Sequence, residues 1–321
     1  MHKVFFTQSV GRDSAHSERP KAPPVKQRMQ VPQPRLPRWM KISAKFGPNY
    51  ARVKGLMDEL GLHTVCREAA CPNIRECWDE GTATFMILGK HCTRDCHFCD
   101  VLHGSPDGIV DEREPERLAQ AVSALGLKQI VITSVTRDDL PDGGASMFAR
   151  TIELLRRQDN SVRIELLIPD FRGNFEALKT VLDARPDVLG HNVETVGRLH
   201  KRVRPAARLD RSLEVLRFMS EYDTRPIVKS GLMVGLGERT EEIVELIHQT
   251  VAAGVDILTI GQYLRPSEAH LPVERFYHPD EFAELARIGR DIGLSHVESG
   301  PLVRSSYRAF TQSQQLLEQA C

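Results

Sequence analysis

Six of the seven cysteines in this chain fall into two runs of three, Cys66-x4-Cys71-x5-Cys77 and Cys92-x3-Cys96-x2-Cys99. Three thiolates are one fewer than a closed tetrahedral zinc site or a fully ligated four-iron cluster requires. A cubane held by three thiolates keeps one iron free for a substrate or a foreign ligand, and the chemistry is expected at that open position. Two other uses of cysteine compete with this one. Disulfides suit small secreted domains, whereas a chain of 321 residues buries a core without staples. Zinc knuckles come as paired Cys-x2-Cys units, but no second unit follows here, and His63, His91, His97 and His103 lack a finger's spacing. Cys321, the last residue, reads as incidental.

Composition narrows the setting. Hydrophobic residues make up 41% of the chain and charged residues 27%, with 43 basic and 43 acidic side chains, which indicates a globular protein with no net field for capturing nucleic acid. No apolar run reaches the roughly 18 residues a membrane span needs. The opening Met1-His-Lys-Val-Phe-Phe is too short for a secretory signal, and Asp13 and Glu18 argue against an organelle presequence. Reduced thiols then suit a cytoplasmic address, with the mitochondrial matrix, after loss of a leader, as the alternative.

The cysteines need elements to position them. Residues 1–38, rich in Pro, Arg, Lys and Gln, read as a disordered basic tail, and residues 39–83 as an N-terminal extension whose helix Asn49–Leu60 leads into the first cysteine run. From position 84 a strand-then-helix rhythm sets in. Buried parallel strands are expected at Thr84–Leu88, Ile130–Val135, Arg163–Ile168, Val188–Val193, Ile227–Val234 and Ile257–Tyr263. Helices are expected at Pro115–Leu125, Ala145–Arg157, Phe175–Asp183, Asp210–Ser220, Glu241–Ala253 and Asp280–Ile292. Six βα units predict an α/β fold, either a parallel barrel or an open doubly wound sheet, over residues 84–294, with a C-terminal extension over 295–321. Cys92 follows the first strand by a few residues, so the second run sits at the carboxyl end of the sheet, where such folds gather ligands.

Cys92-Thr-Arg-Asp-Cys96-His-Phe-Cys99, with the aromatic Phe98 before its third cysteine, resembles the signature of the radical S-adenosylmethionine superfamily. Several further stretches are similar to the lipoyl synthase family. They are Arg67-Glu-Ala-Ala-Cys71-Pro-Asn-Ile-Arg-Glu-Cys77-Trp, Gly81-Thr-Ala-Thr-Phe-Met-Ile-Leu-Gly, His191-Asn-Val-Glu-Thr-Val and Val303-Arg-Ser-Ser-Tyr-Arg, and the likeness runs from about residue 40 to 310. The resemblance implies a partial (β/α)6 TIM-type barrel, two 4Fe–4S clusters and S-adenosyl-L-methionine as cofactors. Cys92, Cys96 and Cys99 would hold the cluster that binds S-adenosylmethionine at its open iron. Cys66, Cys71 and Cys77 would hold an auxiliary cluster with a serine as fourth ligand, Ser306 in preference to Ser305. By themselves those two serines read as a turn or a helix cap. Asn192, Glu194, Arg204 and the pair Gly143-Gly144 match positions used around S-adenosylmethionine, although Glu194 and Arg204 read equally well as a structural ion pair. Arg265 and Lys229 are weaker candidates that could simply brace loops, and His91 suits a hydrogen-bonding role beside the cluster better than ligation.

The implied reaction inserts two sulfur atoms, at C6 and C8, into an octanoyl chain carried on a protein lysine, with the auxiliary cluster as sulfur donor. Aliphatic C–H bonds have no usable acidity, so a radical is required. The implied partners are octanoylated lipoyl-carrier domains (2-oxoacid dehydrogenase E2 subunits and the glycine cleavage H protein), an electron donor such as ferredoxin or flavodoxin, and an iron–sulfur cluster carrier; neither nucleic acid nor membrane is expected. Two rivals differ in testable ways. A methylthiotransferase-like enzyme would carry a separate N-terminal domain and an RNA-binding module, and a noncatalytic iron–sulfur or zinc protein would not cleave S-adenosylmethionine.

Overall fold

Continuous apolar runs in parallel strands demand cover on both faces, and helices supply it on one of them here. The computed structural model describes residues 35–40, 47–80 and 82–319; the tail up to residue 34, Gly81 and Cys321 lie outside the described residues. The chain begins with α1 (Pro48–Glu59), the two-residue β1 (His63–Thr64) and the short helices α2 (Val65–Glu68) and α3 (Ile74–Asp79). The alternating part follows as β2 (Thr84–Ile87), α4 (Glu114–Leu125), β3 (Gln129–Ser134), α5 (Ala145–Gln158), β4 (Arg163–Leu167), α6 (Phe175–Asp183) and β5 (Val188–Gly190). It continues as α7 (His200–Val203), α8 (Leu209–Ser220), β6 (Ile227–Val234), α9 (Thr240–Ala252), β7 (Ile257–Gln262), α10 (Pro279–Ile292), β8 (His296–Gly300) and α11 (Ala309–Gln319).

The strands lie side by side in chain order, with β1 antiparallel to β2 and every later pair parallel. Among the described residues β8 pairs with β7 alone, so the sheet stays open as a partial barrel. Residues of β2 and β7 are buried along the whole of both strands. Local chemistry ends the helices where the loops must start: Gly126 stops α4 in the left-handed region at φ 66, and the Asn174 side chain accepts from the Ala177 N–H to cap α6.

All six expected strands are present, and two more flank them. The parallel part therefore has seven strands rather than six, because β8 falls in the segment assigned to the C-terminal extension. Only Val297 of its five residues is buried, which leaves almost no alternation to detect. Strand β5 stops at Gly190 rather than Val193, and Glu194 adopts φ 66, unusual for a residue with a side chain.

The segment before β2 and the segment after β8 meet. Trp78 of α3 is fully buried, its ring 5.2 Å from that of Tyr50 on α1. From α3 and the loop before it, Asn73 donates to the Leu302 carbonyl at 2.7 Å, and the Tyr307 hydroxyl donates to Glu76 at 3.0 Å. The returning segment passes so close over β7 that a Cβ on Gly261 would run into the Val303 carbonyl. No described helix is long and apolar enough to cross a membrane.

Candidate active site

The second cysteine run is built into the loop after β2 and tied down at several points. Leu88 and Gly89 turn the chain through the left-handed region, φ 69 and 84, and Cys92 then bridges to His103. Thr93 donates both its N–H and its hydroxyl to the Thr136 carbonyl, and the Thr136 N–H points at the Cys92 sulfur at 3.3 Å. The His97 N–H is bound to the Val203 carbonyl, and His270 Nε2 lies 3.0 Å from the Cys99 carbonyl. Between the cysteines, the buried Arg94 donates twice to Asp138 beyond β3, at 2.7 and 2.9 Å, and once to Asp170 beyond β4, at 2.6 Å. Burial opposes ionisation of Asp170, yet Arg94 beside it holds its carboxyl well below the usual carboxylate range. The loop is thus cross-braced to two strand ends by charge-assisted bonds.

The six cysteines described are unpaired thiols. Burial pushes the Cys99 thiol up to about 12, with Cys96 and Cys92 adding repulsion, and burial likewise raises Cys96 against the pull of the Arg204 charge. In the first run, burial and then the Cys71 charge push Cys66 up to about 11, while desolvation and then the charges of Cys66 and Cys71 push Cys77 up to about 12. Such thiols become thiolates only when a cationic centre compensates them, which is what an iron–sulfur cluster provides, so the donor sets fit that group. Among the described residues no three His, Cys, Asp or Glu side chains converge on a single-ion site. The three thiolates of a cubane bind three different irons and have no need to converge.

The two neighbouring serines face different company. Ser306 Oγ accepts from the Thr84 hydroxyl at 2.8 Å, and a hydrogen bond from the Thr84 backbone also reaches Cys66. Ser305 Oγ instead accepts from the Asn192 amide at 2.8 Å, and that amide also donates to Glu194 at 3.1 Å. Arg304 brings its positive charge to Cys71. A small cavity under the serines is lined by Asn192, Gly190 and the buried pair Lys229–Glu165, whose charged atoms are 2.6 Å apart.

The remaining candidates separate. Arg204 donates to the Asn192 carbonyl at 2.9 Å while its Nε has no partner among the described residues, and it forms no direct ion pair with Glu194. Burial raises the Glu194 carboxyl, partly offset by the Arg204 charge. Gly143 and Gly144 both have positive φ, 62 and 91, and a Cβ on Gly144 would strike Leu88, so backbone shape and packing already require both glycines. Phe98 packs against the core. Lys229 is consumed by Glu165, Arg265 braces its own loop through the His270 and Glu268 carbonyls, and the exposed His91 makes none of the described hydrogen bonds. Sequence reasoning missed the bracing role of Arg94, with Asp138 and Asp170, and the contacts of His270 and Thr84. The partners of Arg94 lie 44 and 76 positions away, beyond any local pattern.

Comparison with known proteins agrees with this arrangement. Residues 86–250 match the radical SAM superfamily, and residues 6–71 match the N-terminal domain of lipoyl synthase of the Radical SAM family. The chain is 57% identical over 278 residues to a lipoyl synthase of Rubrobacter xylanophilus, covering 87% of this chain and 86% of that one. Against the lipoyl synthase of Symbiobacterium thermophilum the identity is 55%, covering 88% of each chain, and against that of Bacillus subtilis it is 53%, covering 87% and 93%. Among solved structures, Streptococcus suis SuiB bound to S-adenosylmethionine superposes with a TM-score of 0.52 at 13% identity, over 72% of this chain and 55% of that one. The FeFe-hydrogenase maturase HydG from Carboxydothermus hydrogenoformans gives 0.50 at 12% identity, over 84% and 70%. These two likenesses bear on the fold alone, whereas identities above half over nearly the full length of the curated relatives place the chain in the lipoyl synthase family of the radical S-adenosylmethionine superfamily.

Proposed function

We propose that this enzyme inserts sulfur at C6 and C8 of an octanoyl chain on a carrier-protein lysine, using two 4Fe–4S clusters held by different parts of the chain. Cys92, Cys96 and Cys99 would hold the first, which with S-adenosylmethionine would supply the radical chemistry that an unactivated carbon requires. Cys66, Cys71, Cys77 and Ser306 hold the second cluster, which is a substrate because its sulfides end in the product. The observation that carries this reading is the split between consecutive hydroxyls, Ser306 on Thr84 beside Cys66 and Ser305 on Asn192 beside Glu194. One turn of chain thereby joins the first cysteine run to the polar groups near the second.

The protein's own contribution is placement. Arg94 fixes the loop of the second run against two strand ends, and Asn192, Glu194 and Arg204 present polar atoms to the amino-acid and ribose parts of S-adenosylmethionine, with Phe98 and the Gly143-Gly144 turn shaping the walls. An oxygen ligand from Ser306 is harder than thiolate and easier to surrender as the second cluster is dismantled. The partners that fit are octanoylated E2 and H-protein carrier domains, a ferredoxin or flavodoxin as electron donor, and an iron–sulfur carrier that rebuilds the spent cluster, all in a cytoplasmic setting.

The test is anaerobic reconstitution with iron and sulfide, then incubation of an octanoyl-lysine peptide with S-adenosylmethionine and reductant. Mass spectrometry is expected to show two added sulfur atoms. In the same assay Cys96→Ala should abolish 5′-deoxyadenosine formation, and Cys71→Ala should keep it while losing sulfur insertion. Unmodified peptide from fully loaded wild type would refute the proposal.

A further inference from the structure

The loops that leave β3 and β4 enclose a cleft of about 520 Å3 at the carboxyl end of the sheet, walled by Leu140, Gly143 and Phe171 and flanked by Asp138, Asp139 and Arg172. Gly143 faces Phe171 on this side, whereas Gly144 faces Leu88, so the glycine turn proposed for the S-adenosylmethionine site is also a wall of the cleft beside it. The cleft adjoins the loop of the second cysteine run, because Asp138 in its wall is the partner of Arg94. Both carboxylates are committed. Asp138 takes two hydrogen bonds from Arg94, and Asp139 takes two from Arg137 and a third from the Gly108 N–H. Arg172 is the exception: it is exposed, and none of the described ion pairs or side-chain hydrogen bonds involves its guanidinium. Its backbone stands at φ 55 between Phe171 at φ 44 and Gly173 at φ 78, and the turn is held by Asp170, which accepts from the Arg172 N–H. Glycine adopts such angles freely, but Phe171 and Arg172 in the left-handed region are costly unless their surroundings fix them. Asp170 is fixed in turn by Arg94 and Arg211, so Arg172, the cation of the cleft without a partner among the described residues, projects from a braced turn.

A cleft of this size admits a drug-sized group, such as one or two side chains of a docked surface, and the Arg172 charge, unpartnered among the described residues, favours a carboxylate there. We infer that this cleft docks the carrier protein beside its acylated lysine, with an acidic side chain of the carrier paired to Arg172. The inference rests on the function proposed above, since it is the carrier that must bring an octanoyl-lysine arm to the mouth of the sheet. A carrier surface seated here lies against the loop of Cys92, Cys96 and Cys99 and leaves the arm free to reach inward.

The experiment compares two substrates, a whole octanoylated carrier domain and a short octanoyl-lysine peptide without acidic residues. Two variants keep the turn accessible and change only its charge: Arg172→Asn, tolerant of positive φ, and Arg172→Glu. The expected result is a KM for the domain raised by roughly tenfold in Arg172→Glu and less in Arg172→Asn, with kcat, the peptide KM and S-adenosylmethionine cleavage unchanged. The wild-type KM for the domain should also rise with salt, and that rise should be blunted in both variants. Equal effects on domain and peptide, or no effect on either, would overturn the docking site while leaving the function intact. A wild-type enzyme that thiolates neither substrate would overturn the function, and the docking site with it.

Discussion

Two adjacent serines show how little residue type says without surroundings. Ser306 shares Thr84 with Cys66, whereas Ser305 belongs to the Asn192–Glu194 group. Replacement of Ser306 by Ala is therefore expected to cut dithiolated product by roughly tenfold or more with 5′-deoxyadenosine release little changed, while Ser305→Ala is milder. Product mass spectrometry and chromatography of the nucleoside read out both quantities, and the opposite ranking would move the ligand role to Ser305. The cysteines were legible in the sequence because ligand spacing is local. Ser306 was visible only through family resemblance, since a Ser-Ser pair looks like an ordinary turn. Arg94 stood in plain sight within the second run, yet its function lies in carboxylates contributed by other loops.

Among elements, those that the sequence announced best are the strands buried on both faces, whose apolar runs have a definite start and stop. Helices α2 and α3, of 4 and 6 residues, are too short for a periodic signal, and β8 is too polar for one. Contact between β4 and β6 was equally hidden. Glu165 and Lys229, 3% exposed each, reach one another from these strands across β5, where they stand opposite Val188 and Gly190, and Glu165 Oε2 has no partner among the described residues. A pair so placed owes its stability to mutual compensation rather than to net gain. Lys229→Met alone should destabilise the protein by about 3–5 kcal/mol, because it strands a buried carboxylate, and adding Glu165→Leu should recover most of that loss. Denaturant titration of wild type and the two variants measures this; a double variant no more stable than the single one would show that the pair does more than neutralise itself.

For the molecule as a whole, acid sensitivity follows from one buried ring. His191, 1% exposed, is bonded to the Ile168 carbonyl and the Ser212 hydroxyl, and burial, then the Arg204 charge, depresses it from 6.5 to about 4. Between those values the unfolded chain binds a proton that the folded chain does not, so acid favours unfolding. The resulting loss begins as pH drops below 6.5 and reaches about 3 kcal/mol by pH 4. Urea midpoints of wild type and His191→Gln over that range should converge as pH falls, and a constant gap would contradict the assignment. The seam between the segments before β3 and after β8 has another consequence, in the order of manufacture. Asn73, Thr84 and Glu76 find their partners 229, 222 and 231 positions downstream. A ribosome therefore releases the first cysteine run long before the partners of its flanking residues have been translated, and a chain cut short ahead of residue 302 lacks this seam altogether.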